Sequence, residues 1–410
     1  MSKVVVIGGC GRTGFRFSLI AANKGHNVVS IDLDEEKIHE IKQGNLPFVE
    51  KDGEIYLEQA LKKKLLAVTS DYKSIEKSEV VVIAVSTPVD SNLNPSLEPV
   101  AGVVFDIAPY LKENQLIIFR SILSPVVIER IKTLIEDKTG FKIGKNLNLA
   151  FAPEMYDENS NIHSLANSNQ PVGAYDEESF VAAEGFFKTI TKGKISWLTP
   201  EEAMLSKLMK NMHFYIQNAT ANEFYLIAES YKANIHKILD AIQWKLPNPN
   251  PNSSGPGTHK EGWFLVDRIP FGELITTAFK INESMPTLIV QKLENYKINK
   301  VAILGMSNWA DSDDYRSSLS YKLRKLLYYK NYTVGCYDPY LPEYSDSSVI
   351  HKSDAVILMT PHKEFENLNR IKEMVKNPNC VYIDLKGFWK ETSEKGVNGI
   401  WQAKEGKVKK

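Results

Sequence analysis

Hydrophobic residues in the first part of the chain fall in short runs rather than in strict alternation. Residues 4–7, 80–85 and 116–119 are unbroken runs, 28–31 and 147–151 are each interrupted by one polar residue, and each predicts a strand buried on both faces. Between several of them apolar positions recur at helical spacing, as in 15–23 and 125–136. Doubly buried strands separated by helices predict a parallel sheet covered on both sides. The texture changes at Thr199. A cap, Pro200 in the first turn, and Glu201 and Glu202 against the helix dipole predict a helix start. No proline or glycine follows until Pro247, which predicts one long helix over 200–231 and a shorter one over 235–244. The Pro/Asn/Ser/Gly-rich stretch 246–257 predicts a loop, and a helix is expected over 271–296. Alternation then resumes, with strands at 301–304, 333–337, 356–359 and 381–383 and a helix at 318–329. No internal repeat is visible, and the basic polar stretch 403–410 is expected to fray.

The layout predicts an α/β protein: a parallel-sheet domain over 1–198, a helical domain with one long helix over 199–296, and a second parallel-sheet domain over 297–410. Gly9-Cys10-Gly11-Arg12-Thr13-Gly14 fits GxGxxG, directly after the first strand and opening a helix. Such glycines permit a tight turn and close backbone approach to a pyrophosphate at the helix N-terminus. Asp32 ends the second strand, about 20 residues on, where a carboxylate accepts the ribose hydroxyls of NAD. Both end domains are therefore expected to be Rossmann-like. Asp34 and Glu35 add charge that would repel a 2′-phosphate, so NAD is expected over NADP. A glycine turn beside a surface carboxylate would leave the same pattern without a cofactor.

Composition narrows the classes further. The chain has 410 residues, too many for one ordinary core, and 50 basic residues balance 50 acidic ones. Zero net charge argues against a general nucleic-acid binder. No apolar run reaches the roughly 18–20 residues needed to span a bilayer. The strand-like start at residue 4 leads us to expect no cleavable signal peptide. Cys10, Cys336 and Cys380 are far apart, with no CxxC or Cys/His cluster, so neither a disulfide framework nor a metal site is expected and a cytoplasmic location is the default.

Further along, the motifs together resemble the UDP-glucose/GDP-mannose dehydrogenase family over nearly the whole chain. After the glycine turn come Lys37, Gly44, Pro47 and Glu50, then Val85-Ser86-Thr87-Pro88, similar to the family's VPTP turn. Pro153-Glu154 resembles its PE loop; Lys207, Asn211 and Asn222-Glu223 its K…N…NE helix; Gly255-Pro256-Gly257 and Asp267 parts of its glycine-rich catalytic loop. Asp313-Asp314 with Arg316 resembles its DDxR motif, and Tyr337-Asp338-Pro339 with Thr360, His362, Glu364 and Phe365 its third domain. The resemblance implies NAD held by Gly9, Gly11, Arg12, Thr13, Gly14, Asp32, Lys37, Thr87, Ser121 and Arg316. It implies a nucleotide sugar held by Glu154, Lys207, Asn211, Gly255, Gly257, His259 and Trp263, with Lys207, Asn211, Asp267 and Glu154 in the chemistry. It also implies a homodimer through the long helix, for which Phe214, Tyr215 and Phe224 are available. Lys207 and Asn211 are i and i+4 and leave one helix face together, an arrangement that suits an oxyanion or a water but also an ordinary solvated face.

The departures cluster. The resemblance places a cysteine, the carrier of the aldehyde as a thiohemiacetal and thioester, four residues before the loop Asp; counting back from Asp267 gives Trp263, and no cysteine lies between Cys10 and Cys336. Two loop glycines are replaced within Thr258-His259-Lys260-Glu261; Val266, Ile122, Asn308-Trp309 and Met204 depart too. His259 is a new titratable group, either an acid–base or merely exposed, and Trp263 either stacks on a ring or fills the cysteine's space. Three functions follow: an NAD-dependent oxidoreductase transferring one hydride from a nucleotide sugar to leave a carbonyl; a full four-electron dehydrogenase with a cysteine-free second step; or a nucleotide-sugar binder without turnover.

Overall fold

Val80-Val81-Val82-Ile83 is buried at every residue, as a central strand with helices on both faces must be. The computed structural model describes residues 1–89, 95–155, 162–243, 247–253, 255, 257–266, 268–269, 271–389 and 400–402. The chain divides into two compact units, 1–210 with 263–269, and 211–262 with 270–410. The residues read from the sequence as a central helical domain are thus shared between the two.

The first unit contains β1 (Lys3–Ile7), α1 (Arg12–Asn23), β2 (Asn27–Ile31), α2 (Glu35–Lys42), α3 (Gly53–Lys62), β3 (Leu66–Thr69), β4 (Val80–Ile83), α4 (Glu98–Ile107), β5 (Leu116–Phe119), α5 (Ile128–Thr139), β6 (Asn148–Phe151), β7 (Gln170–Ala174), α6 (Glu177–Ile190) and β8 (Ile195–Leu198). The sheet order is β3-β2-β1-β4-β5-β6-β7-β8. All neighbours are parallel except β6 and β7. Alternate β1 residues feed opposite faces: Val4 and Val6 pack with Phe15, Phe17 and Leu57, while Val5 and Ile7 pack with Val104 and Ile131. The order reverses between β1 and β4, and the crevice beyond the strand C-termini at such a reversal is where doubly wound sheets bind ligands.

A 31-residue helix, α7 (Pro200–Ser230), follows and runs on into the second unit. Its start is a reciprocal capping box: Thr199 Oγ1 accepts from Glu202 N–H at 3.2 Å, and Glu202 Oε2 accepts from Thr199 N–H at 2.8 Å. After it come α8 (Ile235–Ala241), α9 (Thr258–Val266), α10 (Glu273–Leu293), β9 (Lys300–Leu304), α11 (Leu319–Tyr329), β10 (Thr333–Tyr337), β11 (Ala355–Leu358), α12 (Leu368–Val375), β12 (Val381–Ile383) and β13 (Ile400–Gln402). The second sheet runs β10-β9-β11-β12-β13, parallel apart from β13. No described helix is long and apolar enough to cross a membrane.

Two expectations change. The family resemblance implies a loop continuing through 255–267, whereas 258–266 is helix α9. No proline interrupts it, and Gly262 lets α9 approach α7 and α10 closely: a Cβ there would lie 3.2 Å from Met212 Sδ and 3.0 Å from Ile275 Cγ2. Tyr215, expected at a dimer seam, is 3% exposed and belongs to the interior of its own chain, whereas Phe214 and Phe224 are exposed.

Candidate functional site

The turn between β1 and α1 is shaped by absent side chains. Gly8 has φ +70°, and a Cβ there would lie 2.8 Å from Ala84 O. A Cβ at Gly9 would meet Ser30 Cβ and Val6 O at 2.6 Å, and one at Gly14 would meet Gly8 O at 2.2 Å. Gly11 differs: it caps α1 with extended backbone, and the nearest atom to its Cβ would be Gly8 O at 3.4 Å. Space there is left open, at the positive end of a helix whose first turn holds Arg12 and Thr13. This is the cradle a pyrophosphate needs. Asp32 completes it, accepting from Cys10 N–H at 2.9 Å and, through its other oxygen, from Leu33 and Asp34 N–H at 2.9 and 3.2 Å. The residues therefore fit a dinucleotide. The Arg12 guanidinium lies 4.8 Å over the Phe48 ring. Lys37 sits 2.7 Å from Asp34, and this bond holds the Asp34 carboxyl below its usual range. The negative charge expected of Asp34 is thus engaged by Lys37.

At the next two strand ends, Thr87 Oγ1 donates to Ile122 O at 2.7 Å and Ser121 Oγ donates to Val85 O at 2.7 Å. These hydroxyls tie the loops after β4 and β5 to each other, and Gly8 sits against the first of them. Arg120 is buried beneath, its guanidinium 4.7 Å from the Phe17 ring, donating to Ala152 O at 3.3 Å and Gln170 Oε1 at 3.0 Å. Gln170 in turn donates to Pro153 O at 3.1 Å. The peptide leading into Glu154 is thereby fixed from two sides, which the sequence pattern did not reveal. Glu154 is 8% exposed, and its buried Oε1 has no hydrogen-bond donor among the described residues. Burial pushes the Arg120 guanidinium down from its ordinary range, and the Glu154 charge opposes that shift.

Lys210, which carries no family motif, donates to Met155 O at 2.9 Å and brings the Pro153-Glu154 loop to the start of α7. Lys207, one turn earlier, is buried. Trp263 is half-buried on α9. Asp267 lies outside the described residues, so its placement beside Lys207 stays a proposal.

In the second unit Asn211 Nδ2 donates to Glu261 Oε2 at 2.6 Å. Glu261 is fully buried and was not singled out as a site residue from the sequence; only a helical 258–266 delivers it to α7. Gly257 faces it, and Gly255 O accepts from His259 N–H at 3.0 Å. His259 itself is half-buried on α9 with its ring 5.8 Å from that of Phe279. Burial pushes Lys260 down, with Glu261 raising it and Arg316 lowering it. Arg316 grips Asp314 through two bonds of 2.8 and 2.7 Å. Asn222, expected in the helix motif, is structural: it exchanges bonds of 3.1 and 2.7 Å with the Asn250 backbone and anchors the loop to α7.

Beyond β9, β10 and β11, Asp338 accepts from Met306 and Ser307 N–H at 2.7 and 2.9 Å and sits 3.1 Å from His362 Nε2. Burial raises this carboxyl, but those bonds outweigh it and hold it below its usual range. The three thiols are far from α9 in sequence. Burial pushes Cys10 and Cys380 up to about 12 and Cys336 up to about 11. The described residues contain no cluster of three or more His, Cys, Asp or Glu side chains suited to a metal.

Comparison with known proteins agrees with this layout. The model of the UDP-glucose/GDP-mannose dehydrogenase family's NAD binding domain matches residues 2–191, and that of its UDP binding domain matches 302–391. A UDP-N-acetyl-D-mannosamine dehydrogenase of Methanocaldococcus jannaschii is 28% identical over 95% of this chain and 93% of its own. The structure of UDP-D-ManNAc dehydrogenase from Pyrococcus horikoshii superposes with a TM-score of 0.84 at 27% identity, covering 91% of this chain and 93% of its own. The UDP-N-acetyl-mannosamine dehydrogenase of Staphylococcus aureus gives 0.82 at 25% identity over 95% of each chain. Both family domains thus lie in order along one polypeptide, and the chain belongs to the UDP-glucose/GDP-mannose dehydrogenase family, the NAD-dependent nucleotide-sugar dehydrogenases.

Proposed function

We propose that this protein oxidises a nucleotide sugar by a single hydride transfer, leaving a carbonyl. The observation that carries this reading is where the thiols stand in the chain. Trp263 occupies the position at which the resemblance puts the carrier cysteine, no cysteine lies between Cys10 and Cys336, and Cys10 and Cys380 are buried while Cys336 is half-buried, burial pushing each thiol up. A neutral buried thiol is a poor nucleophile. Bound NAD supplies the hydride acceptor. Lys207 and Asn211 orient the reacting hydroxyl, Asp267 supports the base that takes its proton, and Glu154 accepts from a sugar hydroxyl. Gly255, Gly257, His259 and Trp263 serve the sugar, while Thr87, Ser121, Lys37 and Arg316 serve the cofactor. Alcohol oxidation needs only that base, that orientation and NAD. Aldehyde oxidation needs an added nucleophile, so that the second hydride leaves from a tetrahedral carbon. The names of the relatives make UDP-N-acetylhexosamines the first substrates to test, with UDP-N-acetyl-D-mannosamine at their head. The protein works as a cytoplasmic homodimer paired through α7.

The test counts NADH per sugar consumed and identifies the product by mass spectrometry. One NADH and a product trapped by hydroxylamine are expected. Two NADH and a carboxylate would overturn the single-transfer reading, and tight sugar binding with no NADH would make the protein a binder.

A further inference from the structure

Glu261 is 1% exposed, with Asn211 and Gly257 against its carboxyl. Oε2 accepts from Asn211 Nδ2 at 2.6 Å, and Oε1 would be 2.6 Å from a Cβ at Gly257, whose carbonyl accepts the Glu261 N–H at 3.0 Å. In this pair the Asn211 nitrogen is the donor and a Glu261 oxygen the acceptor. The carboxamide therefore has its nitrogen toward α9, and an orientation that a carboxamide otherwise leaves open is decided by this bond. Its oxygen remains, and among the described residues nothing donates to Asn211 Oδ1.

We propose that Glu261 is a positioning residue that locks Asn211 so that it offers its carboxamide oxygen to a donor, a sugar hydroxyl or a water, and not its nitrogen to an oxyanion. The proposal rests on the nucleotide-sugar oxidoreductase reading and refines it. It removes Asn211 from oxyanion stabilisation and leaves that task to Lys207. It also bears on the altered loop, where two glycines are replaced within residues 258–261: the side chain at 261 supplies the acceptor for Asn211.

Four proteins test it: native, Glu261→Gln, Asn211→Asp and the double exchange. In Glu261→Gln the new carboxamide can meet Asn211 with either polarity, so the lock is lost; kcat should fall about 10–100-fold, with the KM for NAD and the melting temperature unchanged. Asn211→Asp sets two carboxylates together and should fall at least as far. In the double exchange the polarity of the pair is reversed. The carboxamide now on α9 donates to the carboxylate now on α7, whose second oxygen is again an acceptor, and at least a tenfold recovery of kcat is expected. Native kcat in folded Glu261→Gln, or a folded double exchange no better than the singles, would overturn the proposal. If the native chain forms no NADH with any nucleotide sugar, the functional reading fails instead. The Asn211 side-chain amide is then read by nuclear magnetic resonance: one strongly downfield, exchange-protected proton supports the lock, and two solvent-like protons refute it.

Discussion

Asp32 has two tasks at once, which sets the size of its effect. Beyond the ribose contact proposed for it, it accepts the Cys10 N–H and so holds the glycine turn against the end of β2. Asp32→Ala should weaken NAD by roughly 1.5–3 kcal/mol, the scale of charge-assisted hydrogen bonds. Asp32→Asn keeps an acceptor and should lose less; equal NAD affinity of all three proteins in calorimetry would refute the assignment. The thiols give a second residue-level expectation. With values near 11–12, Cys10, Cys336 and Cys380 should resist iodoacetamide at about pH 8 in the folded protein and react only after denaturation. Rapid labelling of any one in the native state would reopen the thiol route. At this scale the sequence is most informative where a residue's task is set by its near neighbours along the chain, as for Gly14 against Gly8 and the Thr199 cap. It is least informative where the partner is distant: Glu261 meets Asn211 across 50 positions, and Arg120 meets Gln170 across another 50.

Elements follow the same division. Strands β1, β4 and β5 are visible as unbroken apolar runs because helices cover both their faces. Strand β7 is not, because Gln170-Pro171-Val172-Gly173-Ala174 has neither the run nor the alternation. It is tolerated because its pairing with β6 involves only Gly173 and Ala174, which keeps Pro171 out of that ladder, and because Gly173 lets the start of α7 come within 2.5 Å of where a Cβ would be. The stretch after α8 is legible in sequence as a Pro/Asn/Ser/Gly-rich loop, but the pattern does not show that Asn252 organises it. Asn252 Nδ2 donates to Ser307 O and Thr360 Oγ1 at 2.9 and 3.1 Å, and its Oδ1 accepts from Leu319 N–H at 2.8 Å. Asn252→Ala strands those buried groups and should cost about 2–4 kcal/mol in urea denaturation; a cost below about 0.5 kcal/mol would mean the loop is not anchored there. Helix α8 carries His236, whose ring packs on the turn at Gly387. Burial lowers its pKa, so the unfolded chain takes up the proton more readily than the folded one. The stability it contributes is present above its unfolded value of about 6.5 and is lost as pH falls below that. His236→Gln should therefore lose less stability than the native protein between about pH 7 and pH 5.

For the whole molecule, the exposed apolar side chains of α7 matter most. Phe224, Ile227 and Tyr231 recur at i, i+3 and i+7 along one stripe that continues just past the helix end, with Ile227 49% and Tyr231 79% exposed. Pairing of two copies along this stripe predicts that Ile227→Asp halves the mass seen in sedimentation without lowering the melting temperature of the monomer. A native protein that is already monomeric at micromolar concentration would rule the seam out. The glycine turn carries a further consequence, for how such a chain ages in a lineage. Gly9 and Gly14 have no room for a methyl group, so any descendant that still folds keeps them, whether or not it ever meets a dinucleotide. Gly11 has that room, and only an occupant of the cradle forbids an alanine there. Substitutions at 9 and 14 are therefore purged by misfolding, while position 11 alone drifts once the cofactor is abandoned.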